Sequence, residues 1–158
     1  MGPVEAAAAT ARELAAAVPP RVALHVGIAG ARPDAGVAPP QLVLGSVAVY
    51  EDLRLTTGLS PREARPDAEL LRTASEALPN AVLLPIGTTG RVGGGSECPI
   101  EAMEGFAVLR AAELAGVPAV ELRAISNFVD DERANWRIEE ALEALADAIP
   151  RILDAVRR

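Results

Sequence analysis

Residues 104–127 have the sequence EGFAVLRAAELAGVPAVELRAISN, in which a helix is followed by a strand. The helix is predicted over 104–115, and Gly116 and Pro118 end it. The strand is predicted over 119–125. This helix-to-strand unit decides the fold class, because its repetition builds a largely parallel sheet covered by helices.

The same alternation continues on both sides of this stretch. Further strands are predicted over 22–26, 42–55 and 81–86, and further helices over 4–17, 67–78 and from 131 onward. We therefore predict a single α/β domain over 1–158, with three layers (α/β/α) and a mixed, mostly parallel central sheet. A bulge is expected at Gly45, and Pro150 is expected to interrupt the last helix.

The composition is that of a folded protein with an acidic surface. Half of the 158 residues are hydrophobic but only 3% are aromatic, so Ala, Val, Leu and Ile must form the core. Fifteen arginines face 22 acidic residues, and the net charge of −7 argues against binding to nucleic acid or to an anionic membrane. No apolar stretch could span a membrane and no signal peptide is visible, so we expect a cytoplasmic protein.

Two potentially reactive residue types occur once each. A single cysteine, Cys98, excludes an internal disulfide and a Cys-rich zinc site, and a single histidine argues against a His-based metal cluster. We expect Cys98 to be structural, His25 to be a satisfied core histidine, and Trp136 to anchor the packing of the last helix. No metal or organic cofactor is implied.

Candidate ligand-binding segments follow the predicted strands. Residues 27–30 would form a glycine loop after the first strand, 87–89 follow the third, and Ser126-Asn127 follows the fourth. Met103-Glu104 lies where a strand-like segment gives way to a helix. Because ligands bind beyond the carboxyl ends of strands in such sheets, we expect all four segments at one rim. The glycine pair can be a tight turn, or it can let the backbone approach a ligand closely.

Glu104 has two interpretations. At the start of a helix, a carboxylate is favoured by the helix dipole and needs no further role. At the edge of a cleft, the same group is a bidentate acceptor that suits two neighbouring sugar hydroxyls. Met103 beside it can pack in the core or offer a soft apolar surface to a ribose.

Asn127 likewise has a local and a functional interpretation. It can cap or turn the chain after the strand. Its amide also donates and accepts at once, which matches the carbonyl acceptor and N–H donor of a 6-oxopurine. A 6-aminopurine would prefer a carboxyl partner, so Asn127 favours hypoxanthine or guanine over adenine.

Three segments together carry a resemblance to a known family. VGIAGA at 26–31, AMEGFAV at 102–108 and ELRAISN at 121–127 resemble the nucleoside phosphorylase and nucleosidase superfamily in sequence, order and spacing. Within it, SNFV…W at 126–136 is similar to the futalosine hydrolases, which release hypoxanthine from futalosine in menaquinone biosynthesis. The resemblance implies the superfamily's fold and an N-ribosyl hydrolase, with a nucleoside as its small-molecule partner.

The resemblance also implies roles for individual residues. Met103 and Glu104 match the ribose-binding pair, and Asn127 matches the residue that contacts N7 and the exocyclic position of the base. The remaining candidates for substrate binding are the glycine loop under the sugar, the threonine loop that lines the base, and the aromatic residue of the AMEGFAV motif: Ile28, Ala29, Gly30, Thr88, Thr89 and Phe106.

Water rather than phosphate is the expected nucleophile. Many phosphorylases of the family carry a phosphate-binding Ser in the glycine loop and an Arg three residues earlier, where this chain has Ile28 and His25. An apolar side chain cannot hydrogen-bond phosphate, and a neutral imidazole supplies no fixed charge.

One departure from the family affects the expected chemistry. The family has a strand, a glutamate that polarises the attacking water, and a hairpin ahead of the segment where this chain begins. We expect a shortened form or a gene start that lies upstream, with Glu51 or Asp52 as the candidate replacement for that glutamate. The apolar edge left by the strand would favour association, so we expect a homo-oligomer of at least two copies.

Two alternatives stay open at this point. The first is a purine nucleoside phosphorylase or a methylthioadenosine-type nucleosidase, against which Ile28 and Asn127 respectively argue. The second is a catalytically inactive, nucleoside-binding shortened homologue, which the departure from the family pattern suggests.

Overall fold

Strands and helices alternate along the chain as predicted. The computed structural model describes residues 2–18, 20–53, 60–93 and 95–157. The helices are α1 (Pro3–Leu14), α2 (Ala68–Ala77), α3 (Gly105–Ala115) and α4 (Ile138–Val156), with a short 3-10 turn at Arg133–Asn135. The strands are β1 (Ala23–Ala31), β2 (Leu42–Tyr50), β3 (Glu63–Ala64), β4 (Val82–Thr88), β5 (Ile100–Ala102) and β6 (Ala119–Phe128).

The strands form one mixed sheet in the order β3-β2-β4-β5-β1-β6, which confirms the predicted sheet class. The pairs β1–β6, β2–β4 and β4–β5 are parallel, whereas β1–β5, β2–β3 and β2–β6 are antiparallel. The β2–β6 pairing, which joins Leu42–Leu44 to Leu122–Ala124, closes five of the strands into a ring. The sequence did not predict this closure.

Three apolar clusters hold the layers together. One packs α2 and α4 against one face of β1, β2 and β6, with Leu44, Leu122 and Ile152 almost wholly buried. A second lies on the opposite side, beneath α1 and α3, and includes Leu109. The third fills the inside of the ring with small aliphatic side chains from each of its five strands, including Ala29, Val43, Ile86, Ile100 and Ile125. This arrangement confirms the predicted helix layers on both sides of a central sheet.

Two strands are longer than predicted, and this changes the local structure of two candidate segments. β1 continues to Ala31, so residues 27–30 are strand and not a glycine loop. β6 continues to Phe128, so Ser126 and Asn127 also lie within a strand. The extensions occur because β1 pairs with β6 along its length and with β5 at its end, which satisfies the backbone groups that a loop would expose.

Other boundaries also differ from the sequence prediction. β2 ends at Tyr50 rather than 55, and the residues 54–59 of the predicted strand and loop lie outside the described ranges. The ladder between β2 and β4 is irregular between Gly45 and Ala48, where a bulge was predicted.

Pro150 does not interrupt the last helix. α4 runs through it to Val156, because buried residues on both sides, Leu145 and Ile152 among them, hold the helix against the sheet. Packing of an apolar face therefore outweighs the hydrogen bond that proline removes. Within the described ranges, none of the helices combines the length and the apolar character that a membrane crossing requires.

The importance of the α4 interface can be measured with two leucines of that helix. Leu145 is 4% exposed, whereas Leu142 is 53% exposed. We expect Leu145→Ala to lower the free energy of unfolding by about 2–5 kcal/mol through lost burial and a residual cavity. The matched Leu142→Ala control carries the same change in helix propensity and should cost less than about 1 kcal/mol. Urea unfolding checks both, and equal losses would contradict the packing described here.

Candidate active site

One cleft collects most of the predicted site residues. It has a volume of about 390 Å³ and lies where the ends of β1, β5 and β6 meet the start of α3. Its walls include six predicted residues, namely Ile28, Ala29, Gly30, Met103, Glu104 and Asn127. A larger and more open depression of about 730 Å³, beside the segment 33–42, contains none of the predicted residues.

Strand register brings the base-site and sugar-site candidates together. Gly30 is paired with Asn127 on β6 and with Glu101 on β5, so it lies between the two strands that carry the polar groups. A Cβ at Gly30 would lie 3.3 Å from the Asn127 Nδ2 atom, a tight contact that would force the Asn127 side chain to shift by a few tenths of an ångström. The glycine therefore leaves the space that the Asn127 side chain occupies.

The Asn127 amide has a fixed orientation. Its Oδ1 atom accepts a hydrogen bond of 2.7 Å from the Ser126 hydroxyl, and its Nδ2 atom donates to the Phe128 carbonyl at 2.8 Å. Asn127 is buried, yet it lines the cleft. One N–H and one acceptor lone pair of the amide remain for a ligand.

Glu104 does not serve as a capping residue. It precedes α3 at the N-cap position, but its side chain makes no capping hydrogen bond. Its Oε1 atom accepts a hydrogen bond of 3.2 Å from the backbone N–H of Gly2, and its Oε2 atom lies 3.5 Å from Arg123 Nη2. With 21% of its side chain exposed, the carboxylate faces the cleft.

A polar network beneath Glu104 was missed by sequence reasoning. The Arg123 guanidinium donates from Nε to Glu121 Oε1 at 2.8 Å, and its Nη2 atom lies 2.5 Å from His25 Nε2. Arg123 and His25 line the cleft, so His25 is a wall residue and not simply a core histidine. A signal was present: a Glu and an Arg alternate with apolar residues within the strand motif AVELRAI.

Burial controls the charges in this network. Burial, and then the charge of Arg123, lowers the pKa of His25 to about 3, so the imidazole is neutral near pH 7 and Nε2 accepts from Arg123. Burial raises the pKa of Glu121, while the adjacent Arg123 acts in the opposite direction. Glu121 has no exposed surface, and its Oε2 atom has no hydrogen-bond partner.

Three predicted residues do not reach the cleft. Thr88 and Thr89 are fully buried, the Thr88 hydroxyl accepts from the Phe106 N–H at 2.8 Å, and the Thr89 hydroxyl donates to the Arg91 carbonyl. Phe106 stacks on Tyr50 with 5.2 Å between ring centroids. β5 lies between β4 and β1 in the sheet, so Thr88 and Thr89 are one strand removed from β1, and their hydroxyls bond to nearby backbone groups instead.

Neither candidate replacement for the water-polarising glutamate, Glu51 or Asp52, is among the residues that line the cleft. Glu51 is buried, accepts from the Ser96 hydroxyl at 3.0 Å and pairs with Arg62 at 2.9 Å. Burial raises the pKa of Glu51, but hydrogen bonds from Ser96, Cys98 and Glu97 give a net lowering. Asp52 accepts from the Gly90 N–H at 2.5 Å. Asp52 thus holds Gly90, and Glu51 holds residues 96–98.

Cys98 lies in the same structural region. Burial and the nearby Glu51 raise the pKa of its thiol to about 11, so the thiol is neutral. Within the described ranges, no group of three or more His, Cys, Asp and Glu side chains is arranged to hold a metal ion.

Glu101 is a second carboxylate on the cleft wall. Its two oxygens accept backbone hydrogen bonds from Gly93 at 2.7 Å, Gly95 at 2.7 Å and Ser96 at 3.0 Å. It therefore fixes the glycine-rich segment against the cleft, where Val92 and Gly93 complete the wall.

Trp136 also contributes to the wall instead of serving only as a packing anchor. Its indole N–H lies 3.3 Å from the Asp131 carbonyl, which ties it to the end of β6. The guanidinium of Arg133 lies 5.0 Å from the centre of its rings. Both side chains line the cleft near Asn127 and Val129.

Comparison with known proteins identifies the family. Residues 95–158 match the model of the phosphorylase superfamily. The chain is 37% identical to futalosine hydrolase from Streptomyces coelicolor, with 96% of this chain and 75% of that protein aligned. It is 35% identical to futalosine hydrolase from Thermus thermophilus, with 97% and 78% aligned. It thus spans about three quarters of the length of these relatives.

Solved structures show the same fold. Futalosine hydrolase of Helicobacter pylori superposes with a TM-score of 0.87 at 18% identity, covering 98% of this chain and 76% of that one. The MTA/SAH nucleosidase of Streptococcus pneumoniae, in complex with 8-aminoadenine, gives a TM-score of 0.86 at 23% identity, covering 98% and 78%.

These matches agree with the resemblance carried by the three sequence motifs. The chain belongs to the nucleoside phosphorylase and nucleosidase superfamily. Within that superfamily it groups with the futalosine hydrolases, and it is an N-glycosyl hydrolase.

The protonation state of His25 gives a direct test of the site geometry. Because the folded-state pKa lies below the ordinary 6.5, the stability contributed by the neutral ring is present above about pH 6.5 and decreases as the pH falls toward 3. His25 is the sole histidine, so its ring signals in an NMR titration are unambiguous. We expect no titration between pH 8 and 5 in the folded protein. A midpoint near 6.5 would contradict the buried pairing with Arg123.

Proposed function

We propose that this enzyme hydrolyses the N-glycosidic bond of a 6-oxopurine nucleoside, namely futalosine, and releases hypoxanthine, a reaction of menaquinone biosynthesis. The observation that carries the proposal is the fixed amide of Asn127 in the same cleft as the Glu104 carboxylate. The relatives named futalosine hydrolase support the choice of substrate.

Glu104 would bind the ribose. Its carboxylate faces the cleft and is available as a bidentate acceptor for the 2′ and 3′ hydroxyls. Met103, its neighbour on the cleft wall, would offer an apolar surface to the sugar. A ligand hydroxyl would take the place of the Gly2 N–H on Glu104 Oε1.

Asn127 would stabilise the leaving base. As the bond to the sugar breaks, negative charge builds on the purine, and a preorganised donor aimed at that charge lowers the barrier. The negative charge of the departing 6-oxopurine can rest on O6, to which the remaining Nδ2–H donates. N7 takes its proton from solvent water, and the N7–H of the released hypoxanthine then donates to the free lone pair on Oδ1. The two internal hydrogen bonds of Asn127 hold the amide in place before the substrate arrives.

Water is the proposed nucleophile. Ile28 places an apolar side chain on the cleft wall, and His25 is neutral because burial lowers its pKa to about 3. The nearby guanidinium of Arg123 is already paired with Glu121 and lies close to Glu104. A phosphate dianion would therefore meet little unpaired positive charge at this end of the cleft.

A second candidate is cleavage of a 6-aminopurine nucleoside of the methylthioadenosine type. The observation that favours it is structural similarity to MTA/SAH nucleosidases, one of them solved with 8-aminoadenine. Asn127 argues against it, because an amide cannot supply the proton that N7 of adenine needs.

Base release from a nucleoside panel tests the proposal. Futalosine, inosine and methylthioadenosine are incubated with the enzyme, with and without phosphate, and free base is measured by chromatography. We expect hypoxanthine from futalosine at a rate independent of phosphate. Phosphate-dependent release would indicate a phosphorylase, and preferential adenine release would indicate the second candidate. Glu104→Gln serves as the inactive comparison and Glu113→Gln, on the exposed face of α3, as the matched surface control.

Asn127→Asp tests how the base is recognised. The substitution replaces the Nδ2 amino group of Asn127 with a carboxyl oxygen that can carry a proton toward the base. A protonated carboxyl suits N7 and an acceptor suits an exocyclic amino group, so the variant should shift the ratio of kcat/KM from 6-oxo toward 6-amino nucleosides by roughly tenfold or more. Unchanged relative rates in the same panel would refute the role of Asn127 in base selection.

A further inference from the structure

The ion pair between Glu121 and Arg123 has no role so far beyond leaving little unpaired positive charge for a phosphate. It lies beneath Glu104, with 2.8 Å between Arg123 Nε and Glu121 Oε1, and 3.5 Å between Arg123 Nη2 and Glu104 Oε2. Glu121 is completely buried and Arg123 is nearly so. The pair therefore connects the interior of the sheet to the carboxylate proposed to bind the ribose.

The fold makes specific room for this pair. A Cβ at Gly27 would clash with the Arg123 guanidinium, and a Cβ at Gly105 would clash with the Glu121 carboxylate. A Cβ at Gly45 would come within 3.5 Å of Glu121 Oε2. Three glycines on three different elements thus surround two charged side chains.

Stability alone does not account for such an arrangement. Desolvation of two buried charges roughly cancels their attraction, and apolar residues of similar volume often replace a buried pair without loss of stability. Glu121 Oε2 also lacks a hydrogen-bond partner, which adds a cost. We therefore consider the electrostatic effect of the Glu121–Arg123 pair on the cleft.

Cleavage of the N-glycosidic bond requires that the positive charge of Arg123 be compensated, and Glu121 can compensate it. Cleavage of an N-glycoside gives the sugar oxocarbenium character, so positive charge develops beside Glu104. A guanidinium 3.5 Å from Glu104 would oppose that charge if its own were not compensated. His25, which also contacts Arg123, is neutral and compensates nothing.

We infer that Glu121 is a positioning residue that cancels the charge of Arg123 and holds its guanidinium in place, so that the negative charge of Glu104 remains available to the cationic sugar. With the pair neutral, the group Glu104, Glu121 and Arg123 carries one net negative charge. This inference rests on the proposed N-glycoside hydrolysis and adds to it an electrostatic determinant outside the substrate contacts.

Binding of charged and neutral ligands separates this role from a structural one. Two probes are compared: a purine nucleoside analogue whose sugar is a cationic iminoribitol, and its neutral ribosyl isostere. We expect the wild type to prefer the cation. Glu121→Gln removes one charge with little change in shape, and should reduce that preference roughly 10- to 100-fold, the effect of a unit charge over several ångström at an effective dielectric constant near 20.

The matched control removes both charges. In Glu121→Gln combined with Arg123→Gln, Glu104 again supplies one net negative charge, so the preference for the cation should return to within about threefold of the wild type. A merely structural role would weaken both probes equally in Glu121→Gln and would show no recovery in the double variant. Unchanged preference in Glu121→Gln, or no recovery in the double variant, overturns the inference.

Two further comparisons keep the test decisive. If Glu121→Gln does not fold, Glu121→Met with Arg123→Met removes the pair as a unit, and it must keep the preference of the wild type; loss of the preference overturns the inference. The wild type also separates the inference from the proposed function. A wild type that binds both probes equally argues against an oxocarbenium mechanism, whereas a wild-type preference that Glu121→Gln leaves intact overturns only the role of Glu121.

Discussion

The simultaneous pairing of β6 with β1 and with β2 is the constraint on which the rest of the structure depends. The parallel pairing runs along nine residues of β1, and the antiparallel pairing with Leu42–Leu44 closes the ring. Because neighbours cover both edges of the strand, nearly all of its residues are buried, including its charged ones. Glu121, Arg123 and Asn127 all lie on β6, so one strand supplies the buried pair and the group proposed to bind the base.

The local elements could largely be predicted from sequence, whereas their three-dimensional closure could not. Gly116 ends α3 in a left-handed conformation at φ 68°, as a terminal glycine predicts, and Asp67 caps α2 through its side chain. The strand that separates β4 from β1 is β5, which has only three residues. So short a strand has no recognisable periodicity, and without it Thr88 and Thr89 could not be separated from the cleft.

The residues of the candidate site that belong to sequence motifs could be predicted. Those whose place depends on tertiary contacts could not. Met103, Glu104 and Asn127 lie together in the cleft. Glu101 was missed because its partners are backbone N–H groups that leave no pattern in the sequence. Glu51 was misplaced for a related reason: its position on the predicted strand gave no indication that the segment 96–98 folds over it.

Ser126 helps to set the orientation of the Asn127 amide before any substrate binds. Its hydroxyl donates to Oδ1 of Asn127, and the Phe128 carbonyl, which can only accept, fixes Nδ2, so a rotation of the amide by half a turn would place Oδ1 against that carbonyl. The choice between donor and acceptor is thus made during folding rather than at encounter. Discrimination between purine bases therefore depends on residues next to Asn127 as well as on Asn127 itself. A substitution of Ser126 would weaken this discrimination although the proposed base-binding group, Asn127, stayed the same.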